Sequence, residues 1–227
     1  EKQLPWDIQL SAGGKVTIST TTNTSIYDIT TIPQQNDAFK YTENINAGYL
    51  TLDKKARNSE FVLGVRYEQT KTKAISNNEN YNKKSYGKFF SDVRLSYNFN
   101  NGSSLTLSMN SSIDRPGIRN LNPFKYYVSR YGIAVGNPEL RPSTWWNIRL
   151  RSNIEFNGGE LNSELTYARL SNIFDQTITM DTISNVSTTQ WNNAMEEKVF
   201  SFETSLYYYK LKWLKITAIA SYELSKT

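Results

Sequence analysis

Residues 111–142 read SSIDRPGIRNLNPFKYYVSRYGIAVGNPELRP, and they decide what the rest of the chain can be. The stretch holds four of the six prolines, Pro116, Pro123, Pro138 and Pro142, and three glycines, Gly117, Gly132 and Gly136. Proline locks φ and lacks an N–H donor, so the stretch is expected to be neither the middle of a paired strand nor a helix. It is a long connection, and long connections are usually functional or disordered. Phe124, Tyr126, Tyr127, Val128, Tyr131, Ile133 and Val135 are too many sticky side chains for a solvated tail. An ordered loop packed on something remains.

The flanks alternate with period two. Upstream, Val93, Leu95, Tyr97 and Phe99 share one face, and Asp92, Arg94, Ser96 and Asn98 the other. Downstream, Trp146, Ile148, Leu150, Ile154 and Phe156 oppose Trp145, Asn147, Arg149, Arg151, Asn153 and Glu155. The pattern predicts nine strands, at 8–21, 39–53, 60–72, 86–99, from 105, 144–156, 161–180, about 188–210 and 214–224. No amphipathic helix of any length is present. Several strands exceed ten alternating residues, whereas the strands of a soluble sandwich run to about five or six.

Connections alternate in length along the chain. Short turns fall near 54–59, 100–104, 157–160 and 211–213; long ones fall near 22–37, 74–85, 115–142 and about 181–187. All short turns therefore gather at one end of the sheet and all long loops at the other, the asymmetry of an outer-membrane β-barrel. Register parity predicts a two-residue turn at Gly158-Gly159 and a three-residue turn at Asn101-Gly102-Ser103 with Gly102 left-handed. Aromatic rings fall in two bands. Trp6, Trp213, Tyr97, Phe99 and Phe156 mark the short-turn end; Trp145, Trp146, Trp191, Tyr86, Phe89 and Phe90 mark the other.

Composition agrees. Of 227 residues only 38% are hydrophobic, yet 13% are aromatic, and mean hydropathy is −0.58. Strands that need apolar side chains on one face only keep overall hydropathy low. Net charge is +5, with 26 Lys and Arg against 21 Asp and Glu, scattered without a dense block. Nucleic acid is therefore not an expected partner. The chain has no cysteine and no histidine, which excludes disulfides, Cys/His metal sites and histidine acid–base catalysis. No catalytic constellation stands out, so neither an enzyme nor a cofactor is expected. No apolar run is long enough for a transmembrane helix. Glu1–Trp6 and Tyr222–Thr227 read as interior sequence, so both ends are expected to be cut from something longer.

At the loop the pattern becomes specific. Arg115-Pro116, Leu121-Asn122-Pro123-Phe124, Tyr127 and Gly136-Asn137-Pro138, followed by Leu140 and Pro142, resemble the signature of the Bacteroidetes outer membrane β-barrel family allied to TonB-dependent receptors. The resemblance runs from about residue 39 to 170 and more weakly beyond. It implies an all-β fold: an antiparallel up-and-down transmembrane barrel wall, here one domain over 1–227, with an outward loop at about 115–142. Full-length members carry a plug in a barrel of about 22 strands. The implied partners are outer-membrane lipid, the missing plug and remaining strands, a TonB-type energy transducer reached through the plug, and a surface lipoprotein. The implied location is the bacterial outer membrane, and the implied role is nutrient uptake. The alternatives are a scaffold barrel for a surface lipoprotein and a soluble carbohydrate-binding β domain.

Tyr126, Tyr127, Arg130, Tyr131 and Trp145 are the candidates for meeting a ligand. Loop packing or the outer aromatic girdle is the plainer account of the same residues. Arg94, Arg149, Arg151 and Glu155 lie on the polar face and are expected to line a lumen and touch a plug.

Overall fold

The computed structural model describes residues 2–4, 8–29, 32–77, 79–211 and 213–226. The expected band residue Trp6 lies outside them. All nine long strands form: β2 (Ile8–Ile29), β3 (Ile32–Lys55), β4 (Ser59–Ser76), β5 (Glu79–Asn98), β6 (Ser104–Asp114), β9 (Ser143–Phe156), β10 (Gly159–Asp181), β11 (Val186–Leu211) and β12 (Leu214–Lys226). Three short strands join them: β1 (Lys2–Leu4), β7 (Lys125–Ser129) and β8 (Gly132–Val135). The twelve make one sheet with β2 to β6 and β9 to β12 in sequential antiparallel order.

Strand lengths correct the sequence reading. The expected loops at 22–37 and 74–85 are largely paired hairpin: Asn23 stands opposite Phe39, and Lys73 opposite Lys83. Their Thr-, Asn- and Ser-rich sequence hid this, because strands that have left the lipid layer need no apolar alternation. The connection near 181–187 shrinks to 182–185, where Asp181 accepts the Ile183 N–H at 2.9 Å and the Ser184 hydroxyl at 2.7 Å. The Pro-rich stretch, expected to hold neither strand nor helix, contains α1 (Ile118–Leu121) and the β7–β8 hairpin. Both elements fit in the gaps between prolines.

Two turns sit one residue earlier than expected. Phe156 pairs with Gly159, so the two-residue loop is Asn157-Gly158, with Gly158 at φ +93. The Phe99 N–H reaches the Ser103 carbonyl, enclosing Asn100, Asn101 and Gly102 at φ +89. Parity survives both shifts, because each moves register by two residues.

One face of the sheet is an apolar band. Phe61, Leu63 and Val65 of β4 stand beside Leu95, Val93 and Ser91 of β5; Leu107 of β6 faces Leu150 of β9, and Leu150 faces Leu165 of β10. Leu63, Val65, Leu95, Leu107, Leu150 and Leu165 are exposed, as lipid contact requires, and Phe61 and Val93 are half-buried among them. The aromatic bands are split by parity. Tyr97, Phe99 and Phe156 share the apolar face at the short-turn end. Of the rings expected at the other end, Phe89 and Trp146 share it, joined by Tyr67 and Tyr167, which pack on them at 4.7 and 5.5 Å. Tyr86, Phe90, Trp145 and Trp191 lie on the opposite face, the one that bears the loop.

The sheet curls around that loop. The Tyr126 hydroxyl accepts a hydrogen bond from Asn23 of β2 at 2.9 Å, while its register neighbour Ala134 pairs with Thr189 of β11. On a flat sheet β2 and β11, seven strand spacings apart, would stand about 34 Å from each other. A single hairpin bridges them only if the polar face is concave.

Candidate functional site

The loop enters after β6 and is tied down residue by residue. Arg115 donates to Glu68 at 2.7 Å and to Thr70 at 3.2 Å, and its Nε lies 3.6 Å from Glu43. Glu68 is shared with Arg66 at 3.2 Å, and Arg66 lies over the Phe90 ring at 4.7 Å. Burial pushes the Glu43 carboxyl pKa up, with Arg115 opposing the shift. These side chains come from the inward positions of β3, β4 and β5, where alternation already sends polar groups away from lipid.

The next turn explains the motif residues. Asn122 is wholly buried; its side chain accepts the Phe124 N–H at 3.1 Å and donates to the Tyr126 hydroxyl. Pro116 and Pro123 bracket α1. Leu121 and Phe124 enter a small core with Leu140 and with Phe39 and Ala74 of the wall, the Phe39 and Phe124 rings meeting edge-on at 6.4 Å. Gly136 donates to the Asn122 carbonyl at 2.8 Å, so close that a Cβ would collide with the Asn122 and Asn120 backbone. Glycine is therefore required by approach and not by φ.

The exit is clamped from both sides. Lys84 donates to the carbonyls of Pro138 at 2.7 Å and Leu140 at 3.0 Å, and Asn82 donates to Pro138 and to the Glu139 carboxylate at 2.8 Å. Burial of its ammonium lowers the Lys84 pKa. On the far side Asn137 donates to the Trp191 carbonyl at 3.0 Å and to Asn192 at 3.1 Å. Asn193 bonds the Arg141 N–H and carbonyl, and also the Asn172 carbonyl, at a bulge in β10 where Asn172 takes φ +54. Phe174, just past that bulge, packs on Trp191 against the loop core.

The five candidate ligand residues are not brought together. Tyr126 is held between Asn23 and Asn122. Tyr127 is half-buried on β7. Arg130 and Tyr131 lie exposed at the hairpin tip, the guanidinium 5.8 Å from the ring centre. Trp145 stands on the concave wall between Ser112 and Leu170.

Arg94, Arg149, Arg151 and Glu155 share the concave face. Arg149 and Arg151 grip Glu164 at 2.9 and 2.6 Å, while Arg94 and Glu155 are exposed. Sequence reasoning missed Asn23, Asn82, Lys84 and Asn193. Each sits at an inward position near the long-hairpin end, and nothing local sets it apart from its polar neighbours. No group of three or more Asp or Glu residues suited to a metal ion occurs among the described residues.

Comparison with known proteins agrees with this geometry. Residues 1–227 match the profile described as the Outer membrane protein beta-barrel family. No curated protein matches the chain. Among solved structures, the copper transporter OprC superposes with a TM-score of 0.65 at 13% identity, covering 96% of this chain and 36% of OprC. The Serratia marcescens hemophore receptor HasR gives 0.60 at 11% identity, with 96% and 42% covered. The siderophore receptor PirA from Pseudomonas aeruginosa gives 0.54 at 16%, with 85% and 44% covered. The chain thus spans less than half of each structure, and the likeness is one of fold.

Proposed function

The chain belongs to the outer membrane protein beta-barrel family, and from that premise we propose that it is part of the wall of a TonB-dependent receptor that takes up a nutrient across the bacterial outer membrane. The soluble carbohydrate-binding alternative is overturned by the family match and by the exposed apolar band. One observation carries the receptor reading. The loop at 115–142 folds onto the concave face and is fastened to strands on both flanks, so it narrows the path at the long-hairpin end. A wall with an internal constriction suits gated passage better than an open pore. The relatives named for copper, siderophore and hemophore support uptake of a scarce solute. In this reading the loop motif marks a receptor of the Bacteroidetes type.

In this reading Arg94, Arg149, Arg151 and Glu155 meet a plug within the barrel, and the plug meets the energy transducer. Tyr127, Arg130 and Tyr131, at the hairpin, meet the solute first. Tyr126 and Trp145 hold the constriction. The test is growth on single limiting nutrients. Deleting the gene slows growth on at least one, and a plasmid copy restores it only where the energy transducer is intact. Rescue in a strain without the transducer would contradict active uptake.

A second reading rests on a different observation. Val128, Tyr131, Ile178, Met180 and Ile183 are exposed near the tips of two hairpins that meet where Ser187 donates to the Tyr131 carbonyl at 2.8 Å. This apolar rim suits a scaffold for a surface lipoprotein. Co-purification of a lipoprotein that is lost on V128S/I183S favours it.

A further inference from the structure

Above the aromatic ring pair Tyr67 and Phe89, the outward face of β3, β4 and β5 changes character. Lys73 stands directly opposite Lys83, with Lys71 two residues before it on the same strand and Lys40 diagonal to it across Thr42. All four lysines are exposed. The outward neighbours between them and the rings are Thr, Asn, Gln, Ser and Gly, and no Asp or Glu shares that face among the described residues. Like charges directly opposite one another destabilise a sheet. The other flank differs: Arg169 and Lys198 also face each other there, but Arg169 has Glu196 at 3.1 Å.

Height identifies the missing counter-charge. Lys71 lies four residues beyond Tyr67, about 13 Å along the strand, and strand tilt brings that to about 10 Å above the ring belt. Aromatic belts mark the edge of the hydrocarbon layer, so the ammonium groups stand in the headgroup zone of the outer leaflet. Thr20, Thr22 and Thr42 flank the cluster with hydroxyls, Thr20 and Thr42 lying 3.2 Å apart. Ammonium groups beside a row of hydroxyls match a phosphorylated sugar headgroup.

We propose that Lys40, Lys71, Lys73 and Lys83 form a binding site for a phosphate-bearing glycolipid of the surrounding leaflet. The site rests on the reading that the long hairpins point out of the cell. It fixes the rotation and depth of the wall at this flank and offsets the lysine repulsion.

The test uses the full chain purified in detergent, titrated with diphosphoryl lipid A and read by native mass spectrometry. Phosphate-free glycolipid and inorganic phosphate are the comparison arms. Lipid A is expected to stay bound and the other two are not. The K40Q/K71Q/K73Q/K83Q variant is expected to bind about 100-fold more weakly at low salt, while the four Lys→Arg replacements bind normally. Equal binding by the Gln variant, or by the phosphate-free glycolipid, overturns the site. Orientation is read separately. The chain has no cysteine, so Lys83→Cys is expected to react with an impermeant maleimide on intact cells. Failure there overturns the orientation and the site together, whereas failure of lipid binding alone overturns only the site.

Discussion

On the outer side of β4 and β5, Phe61, Leu63 and Val65 stand beside Leu95, Val93 and Ser91. On the inner side of the same two strands, Glu68, Thr70, Asn82 and Lys84 hold the loop through single atoms. The outer side asks only that a residue be apolar and of the right parity, and lipid fills any gap in shape. The inner side asks for particular donors at particular distances. Substitutions should therefore damage the two sides differently: the outer side through the wall as a whole, the inner side through the loop alone.

The largest effect is expected at Gly136. A Val there must displace the Asn122 backbone, so G136V releases the loop at a local cost of about 4 kcal/mol. Limited proteolysis between residues 115 and 142 checks this, with heat-modifiable gel migration of the wall unchanged. Val65→Lys reverses the pattern. A lysine near the middle of the lipid band costs about 2–4 kcal/mol, read as a lower urea midpoint for the whole wall, with the loop protected until the wall opens. Asn122→Ala leaves the buried Phe124 N–H and the Tyr126 hydroxyl short of a partner, at about 1–3 kcal/mol, seen as faster amide exchange in the loop. Arg151→Ala sits at the small end. Its guanidinium is largely exposed and Glu164 keeps Arg149, so the urea midpoint moves by no more than about 1 kcal/mol.

The same contrast explains what could be read from the chain alone. Parity alone located all nine long strands and separated Trp145 from Trp146. The hairpin extensions at 22–37 and 74–85 were not legible, because pairing outside the lipid layer leaves no apolar alternation. The motif residues were legible as a pattern, and their reasons were not. That Gly136 approaches a backbone depends on how the loop folds back on Asn120 and Asn122, and that Asn137 reaches Trp191 and Asn192 depends on a strand more than 50 residues away. The candidate ligand residues suffered most. Tyr126 and Tyr127 look alike in sequence, yet Tyr126 is fastened to β2 from across the concave face.

The receptor reading depends on the loop lying against the inside of the wall. The Asn82 and Glu139 side chains meet at 2.8 Å across that contact. Cysteines at both positions, oxidised in intact outer membranes, test it directly, with the outward register pair Lys71→Cys/Ser85→Cys as the reference. The expected result is a disulfide between positions 82 and 139 at a yield matching the reference pair. A reference pair that oxidises while 82 and 139 stay free would show that the loop stands away from the wall.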